Sequence, residues 1–218
     1  MICVDKATIV KRLEKHIKVS SWLLWGDQFQ YDENAKKYVF KEDDINTKYV
    51  FVALNASFES HEEWGSFHSG KRGDMNIYSA FEGTEYEGSY ITDLLKYRNG
   101  EIFTKGDSSS VISCIIDDPK MFNENIKMLA KELDLFPDNT MVLAFGDDVY
   151  KFLISNRLIN IRYKNRIFKL PHFSARYYNN TNEKRSYVLA VGNALESIKR
   201  PGEMPYKSVL KKYKPKTR

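Results

Sequence analysis

Two short segments, far apart in the chain, constrain the fold more strongly than any other feature of the sequence. Each is a run of strand-forming residues that stops at a polar turn: residues 49–54 end at Asn55, and residues 168–170 end at Pro171 and His172. In an open α/β sheet, ligands bind just beyond the carboxyl ends of the strands. We therefore expect Asn55 and His172 to share one site if their strands lie close together in the sheet.

Hydrophobic patterning predicts the remaining elements. Apolar residues at helical spacing predict helices in four segments, which are residues 5–17, residues 119–134, a segment after Asp147, and residues 186–199. Apolar runs predict strands over residues 49–54, 89–95, 140–145 and 167–170. This order indicates the α/β class, with a mostly parallel sheet.

The segments between these elements are less regular. Residues 28–41 predict a polar loop or hairpin, and residues 99–110 predict a polar loop. Residues 55–88 show little periodicity, and a stretch of that length is usually functional or contains short helices. We expect residues 1–200 to form a single domain and residues 201–218 to form a basic C-terminal tail.

Basic residues are concentrated in two regions of a chain whose formal net charge is +5. One region surrounds the second segment, from Arg162 to Arg185, and the other is the C-terminal tail. Like charges at this density repel one another unless a polyanion such as DNA is near. A solvated tail after Val209 is the alternative. The 14 Tyr and 13 Phe fit either an aromatic core or a cleft that stacks planar ligands.

Several classes of site lack support in the sequence. Cys3 and Cys114 do not stand in a metal-ligand spacing, so no zinc site is implied. There is no GxGxxG, GxxxxGK[ST] or GxSxG segment. No apolar run approaches the length of a membrane span, and no signal peptide is visible before Asp5 and Lys6. We expect a cytoplasmic monomer without a membrane partner, metal or cofactor.

Four segments in chain order resemble the uracil-DNA glycosylase superfamily, and within it the mismatch-specific uracil and thymine glycosylases. Residues 53–57, Ala-Leu-Asn-Ala-Ser, are similar to the G-I-N-P-G type segment of that branch. Residues 170–176, Leu-Pro-His-Phe-Ser-Ala-Arg, are similar to its M-P-S-S-S-A-R or L-P-N-P-S-G motif. Thr92-Asp93 stands at a Thr-Asn pair, and residues 142–146 resemble the strand and glycine that precede the second motif. The resemblance implies the three-layer fold of this superfamily.

The resemblance also implies a reaction. Such enzymes flip a nucleotide out of duplex DNA and hydrolyse the N-glycosidic bond of a damaged or mismatched base, without a metal. Asn55 matches the residue that positions the attacking water. An amide is a poor base, so such a site depends on leaving-group stabilisation and preorganised electrostatics. His172 matches a donor of a hydrogen bond to the leaving base or to a phosphate.

Further roles follow from the same resemblance. The residues implied to contact the flipped base are Phe58, Phe67, His68, Tyr78 and Asp93. The residues implied to bind DNA are Ser57, Ser174, Ala175 and Arg176, of which the last two would enter the duplex gap or the minor groove.

Departures from the family pattern affect three positions. Ala53 and Ala56 replace the Gly and Pro of the first motif, so the backbone there is less constrained. Asp93 stands where an Asn is common. An ionised carboxylate only accepts hydrogen bonds, so it would oppose the O4 carbonyl of uracil and suit an exocyclic amino group.

Each candidate residue also has a structural interpretation. Asn55 is suited to capping a turn, His172 to a satisfied structural role, and Asp93 to capping a helix that begins at Leu94. Phe67 and Tyr78 also suit a hydrophobic core. At the level of function, a non-catalytic nucleic-acid- or ligand-binding protein on the same fold stays open beside the glycosylase. A nucleoside- or nucleotide-processing hydrolase is a third class, which would need less basic surface.

Overall fold

A five-stranded sheet forms the centre of the protein in the computed structural model, which describes residues 4–56, 62–175, 177–178 and 186–199. In chain order the strands are β1 (Ser20–Trp22), β2 (Gln30–Asp32), β3 (Lys37–Val39), β4 (Asn46–Asn55), β5 (Ser89–Leu95), β6 (Tyr97–Arg98), β7 (Glu101–Ile102), β8 (Met141–Phe145) and β9 (Ile167–Leu170). The α-helices are α1 (Lys6–Leu13), α2 (Arg72–Phe81), α3 (Ser108–Asp117), α4 (Pro119–Leu133), α5 (Asp147–Ser155), α6 (Arg157–Tyr163) and α7 (Tyr187–Lys199). Short 3₁₀ helices cover Glu14–His16, Gly26–Gln28 and Glu42–Asp44.

The strand order of the central sheet is β1-β5-β4-β8-β9. Strands β5, β4, β8 and β9 are parallel, whereas β1 pairs antiparallel with β5 at one edge. Strands β2 and β3 form a separate hairpin, as do β6 and β7. Because the four parallel strands run the same way, their carboxyl ends lie along one side of the sheet. This sheet confirms the predicted α/β class.

Helices cover both faces of the sheet, which explains why residues 50–54 of β4 and all five residues of β8 are apolar. Phe51 and Ala53 of β4 belong to the core that is shared with α2 and α7. Val50 and Val52 point the other way, into the core that is shared with α4 and α5. Parallel strands that are covered on both faces are nearly continuous apolar runs in sequence. The protein therefore has the three layers that the sequence predicted.

A buried polar network fastens α4 to β5. Glu132 of α4 accepts hydrogen bonds from Tyr90 Oη at 3.0 Å and Thr92 Oγ1 at 3.2 Å. Its other oxygen lies 3.0 Å from Lys96 Nζ and 3.3 Å from His16 Nε2. Burial lowers the pKa of His16 to about 4, despite the attraction of Glu132. The neutral imidazole leaves Lys96 as the cation that balances Glu132.

Three helices and three short strands depart from the sequence-based prediction. Helix α2 lies in the stretch without periodicity, and α3 begins inside the predicted polar loop. Helix α6 and strands β1, β6 and β7 were not predicted. Gly73 near the start of α2 weakens its intrinsic helix propensity. Helix α3 begins with three serines, and the carboxylate of Asp107 caps it by accepting from Ser110 N at 2.8 Å. The predicted helix over residues 5–17 ends at Leu13 and continues as a 3₁₀ turn.

Two other predictions concern membrane-spanning helices and the C-terminal tail. Within the described residues, no helix combines the length and the apolar character that a membrane crossing requires. The predicted basic tail, residues 201–218, lies outside the described residues.

The buried pair yields a stability prediction. Lys96→Met leaves the carboxylate of Glu132 without its ammonium partner, and breaking a buried pair in this way typically costs about 3–5 kcal/mol. We expect the free energy of unfolding to fall by about that amount in urea titrations followed by circular dichroism. Adding Glu132→Gln removes the unpaired charge and keeps acceptors for Tyr90 and Thr92, so it should restore most of the loss. A double variant that is no more stable than Lys96→Met would contradict this account.

Candidate active site

A cavity of about 610 Å³ lies at the carboxyl ends of the parallel strands. Its walls come from the last residues of β4 and β8, from β5, from the segment after β9, and from the N-terminal ends of α2, α3 and α5. Both Asn55 and His172 line it. The structure therefore brings together the two segments that stood out in the sequence.

The structure places the candidate residues in three groups. Those that line the cavity are Asn55, Phe67, Asp93, His172, Ser174 and Ala175. Those that lie outside the described residues are Ser57, Phe58 and Arg176. Those that are described but do not belong to the cavity lining are His68 and Tyr78.

His68 and Tyr78 belong to an aromatic cluster instead. The Nε2 atom of His68 lies 3.1 Å from the carbonyl oxygen of Trp22, and its ring centroid is 4.5 Å from that of Phe29. Burial lowers the pKa of His68 to about 4, so the ring is neutral at neutral pH. Tyr78 packs edge-on against Trp25, with ring centroids 5.5 Å apart. Neither side chain belongs to the lining of the cavity.

Asn55 is held at the end of β4 by its own amide group. Its Nδ2 donates to the carbonyl oxygens of Ala56, at 2.7 Å, and of Lys105, at 3.0 Å. The backbone N–H of Lys105 also donates to Ala56, at 3.2 Å. Both amide hydrogens are thereby occupied, which leaves Oδ1 to act as an acceptor. Asn55 thus fastens the loop before α3 to β4, the turn-capping role that the sequence left open.

His172 is held in one tautomer by its own turn. The backbone N–H of Ser174 donates to Nδ1 at 3.2 Å, and the hydroxyl of Ser174 lies 3.0 Å from the same atom. A backbone N–H can only donate, so Nδ1 carries no proton and the neutral ring has its hydrogen on Nε2. Burial lowers the pKa of His172, although Asp148 acts in the opposite direction. The ring is therefore a neutral hydrogen-bond donor at the cavity wall.

Two glycines allow the segment after β9 to pack closely. Gly146 has a φ of +92°, and a Cβ there would lie 3.1 Å from His172 Cδ2. A Cβ on Gly73 of α2 would lie 3.1 Å from the ring of Phe173. Asn76, one turn further along α2, donates to the carbonyl oxygen of Phe173 at 2.7 Å. This role of α2 could not be predicted, because Gly73 and Asn76 follow no sequence pattern that marks a contact.

Asp93 is the most deeply buried acidic group of the cavity. It lies within β5, so the alternative in which it caps a helix at Leu94 is wrong. It shares a strand face with Ile91, whereas Thr92 between them points to Glu132. Asp93 is 1% exposed, and neither carboxyl oxygen has a hydrogen-bond partner among the described residues.

Burial sets the protonation state of Asp93. Desolvation raises the pKa of its carboxyl to about 8, with Lys96 acting against the shift and Glu132 and Asp74 adding to it. The carboxyl is consequently mostly protonated at neutral pH. The ionised form that the sequence suggested is then the minor one. A neutral carboxyl has both a hydroxyl donor and a carbonyl acceptor.

Other acidic residues of the lining were not predicted as site residues. Besides Asp93, the lining includes Asp74, Asp107, Asp147 and Asp148, with Lys105 as its basic residue. Their position at the start of a helix that follows a strand end could have identified them as site residues. The sequence showed this position for Asp147 and Asp148. Hydrogen bonds from Ser109 and Ser110 lower the pKa of Asp107 to about 2. In the part of the chain that the structure describes, no group of three His, Cys, Asp or Glu residues is arranged to hold a metal.

Comparison with known proteins identifies one related family. A model of the family described as the uracil DNA glycosylase superfamily matches residues 40–196. This range runs from just before β4 into α7 and includes both cavity-lining segments. No curated protein and no solved structure matches the chain.

The buried carboxyl of Asp93 generates a prediction about stability and pH. The unfolded chain releases this proton near pH 3.8, whereas the folded protein holds it up to about pH 8. Between these values folding takes up a proton, so this group's contribution to the free energy of unfolding falls as pH rises. We expect Asp93→Asn to gain stability relative to the wild type as pH rises from 4 to 8, measured by urea unfolding.

The comparison requires a control because other groups titrate over the same range. Lys96, Glu132 and Asp74, which act on the pKa of Asp93, are retained in the variant. Asp43→Asn alters an exposed carboxylate away from the cavity, so its stability difference from the wild type should stay nearly constant. A constant difference for Asp93→Asn as well would show that the carboxyl ionises normally in the folded state.

Proposed function

Because the chain belongs to the uracil-DNA glycosylase superfamily, we propose that it hydrolyses the N-glycosidic bond between a damaged or mismatched base and deoxyribose in DNA. The observation that carries this proposal is the meeting of Asn55 and His172 in one cavity, from two strand ends far apart in sequence. At about 610 Å³ the cavity falls in the size range of small-molecule sites, so a single flipped base has room to enter.

Asn55 has the role of placing the water. Its Nδ2 is bound to two carbonyl oxygens, so Oδ1 is the atom available to accept a hydrogen bond from a water molecule. The water then attacks C1′ of the sugar as the bond to the base breaks. An amide does not remove a proton effectively. Cleavage of the C1′–N bond must therefore be more advanced in the transition state than attack by water, and the proton of the water goes to solvent. The rate then depends on how well the site stabilises the separating sugar and base.

His172 has the role of assisting departure of the base. As the C1′–N bond breaks, its electron pair moves onto the base, and an acceptor atom of the base gains electron density. A neutral imidazole with its hydrogen on Nε2 can donate to that atom without carrying charge itself. The turn made by Ser174 keeps the ring in this state before substrate arrives. A DNA phosphate is the other acceptor that this N–H suits.

The remaining contacts with DNA are proposals of the same kind. Phe67 on the cavity lining is the candidate to stack on the flipped base, and Ser174 and Ala175 border the cavity where the DNA backbone would enter. Arg176 and Ser57 complete this proposed DNA-binding set. Within the superfamily, residues 170–176 favour the mismatch-specific branch, since their Ser-Ala-Arg ending matches its second motif.

A non-catalytic binding protein on the same fold is the second candidate. It is favoured by Ala53 and Ala56, which replace the Gly and Pro of the first motif. It is also favoured by the bonds of Asn55 to Ala56 and Lys105, because fastening the loop is by itself a sufficient reason for an asparagine there. In that case the cavity would bind a base or nucleotide without cleaving it.

Variants at Asn55 separate the two candidates. We expect Asn55→Ala to lower the single-turnover rate of base release by about 100-fold or more, with DNA affinity within a few-fold of the wild type. Asn55→Asp keeps an oxygen that can accept from water but loses both N–H donors to the loop. It should therefore retain far more activity than Asn55→Ala. The measurement is alkali-induced strand cleavage of labelled duplexes that each carry one uracil, mismatched thymine, hypoxanthine, xanthine or N-alkylated purine.

Two outcomes would contradict the proposed catalytic role of Asn55, each in a different way. Equal losses in Asn55→Ala and Asn55→Asp would mean that Asn55 acts only through the loop. No cleavage of any duplex by the wild type, with DNA binding retained, would establish the second candidate.

A further inference from the structure

The carboxyl of Asp93 has no hydrogen-bond partner among the described residues, and a ligand in the cavity would supply one. Its two carboxyl oxygens are buried, accept no hydrogen bond from the described residues and belong to a side chain of the cavity wall. A buried polar group without a hydrogen-bond partner destabilises the folded protein. A bound base with N–H groups on the edge that faces Asp93 would remove this destabilisation. Uracil offers a carbonyl oxygen at its O4 position and an N–H beside it, which match the neutral carboxyl, whereas a base with two adjacent N–H donors matches the ionised carboxylate.

The rest of the described lining carries more carboxylates than ammonium groups. Asp74, Asp107 and Asp147 stand in or just before the first turns of α2, α3 and α5, where the helix termini favour negative charge. The ammonium of Lys169 is bound to Asp147, and Lys105 is the basic residue of the lining. The carboxylates still outnumber the ammonium groups, so this lining favours a positively charged base over a negatively charged one, although the helix N-termini offset part of the excess.

The charge of the leaving base then decides which substrate the cavity favours. When the C1′–N bond of deoxyuridine breaks, the electron pair stays on the base, which departs as an anion beside these carboxylates. An N-alkylated purine nucleotide starts with a positive base. The same electron pair neutralises it, so the base departs uncharged, while water adds its oxygen to C1′ and its proton goes to solvent. Negative groups around the base stabilise the charged reactant and the positive sugar without opposing the product.

We propose that the base accepted by this cavity is an N-alkylated, positively charged purine, whose exocyclic amino group donates to the carboxyl of Asp93. The proposal rests on the proposed glycosylase function and adds its substrate class. A cation beside the carboxyl favours its ionised form, which accepts two hydrogen bonds. In 7-methylguanine the ring N1–H and the exocyclic amino group are adjacent donors and fit such a carboxylate. Asp93 is thus a specificity-determining residue.

The test compares two substrates in the same full-length protein. One duplex carries a single 7-methylguanine and the other a single uracil, and the released base is quantified by chromatography under single-turnover conditions. We expect 7-methylguanine to be released at least tenfold faster than uracil, after correction for its spontaneous loss. Asp93→Asn presents an amide donor in place of a carboxylate oxygen, so it should lower this rate ratio at least tenfold. Asp43→Asn should leave the ratio unchanged.

The outcomes distinguish this proposal from the function on which it rests. Because the readout for Asp93→Asn is a ratio of two rates, a lower yield of folded protein does not change it. Release of uracil with no release of 7-methylguanine would overturn the charged-base proposal while preserving the glycosylase function. An unchanged ratio in Asp93→Asn would overturn the role of Asp93. Failure to release a base from any duplex would contradict the proposed glycosylase function itself.

Discussion

Parallel pairing of β4 between β5 and β8 is the constraint on which the rest of the structure depends. In its register Ala53 lies opposite Asp93, and Val52 lies opposite Ala144. Since parallel strands end on the same side of the sheet, this register places Asn55 and the turn after β9 at one cavity. A slip by one residue would send Ala53 and Asn55 to the opposite face. The buried apolar side chains of both faces resist such a slip.

The N-terminal turns of three helices complete the cavity that the carboxyl ends of the strands form on one side. The first turns of α2, α3 and α5 all reach the cavity and bring their aspartates with them. Helix α2 also fixes the second motif, because Gly73 admits the ring of Phe173 and Asn76 binds its carbonyl oxygen. The site is therefore assembled from backbone contacts as much as from side chains. Asn55 and His172 hold their orientations through hydrogen bonds to or from the main chain.

The sequence predicted the sheet better than the helices around it. Residues 89–95 and 167–170 were predicted as strands with the observed bounds, since a strand that is covered on both faces leaves a local apolar run. Helix α2 left no such pattern, because its stability depends on packing against a segment about 100 residues away. For the site, the polar residues at the carboxyl ends of two predicted strands led to the prediction that Asn55 and His172 share one cavity. The positions of His68 and Tyr78 depend on aromatic packing with Trp22, Phe29 and Trp25, which no local pattern encodes.

Strand β1 has a consequence for how far the folded unit extends. Residues 20–22 lie outside the range matched by the superfamily model, yet they cover the outer edge of β5 with antiparallel pairing. A fragment trimmed to the matched range would leave the N–H and C=O groups of β5 open on that side, directly beside Tyr90 and Thr92. Open edges of this kind recruit strands from other molecules. The N-terminal segment accordingly protects this edge from self-association, and a shortened version of the protein needs to retain it.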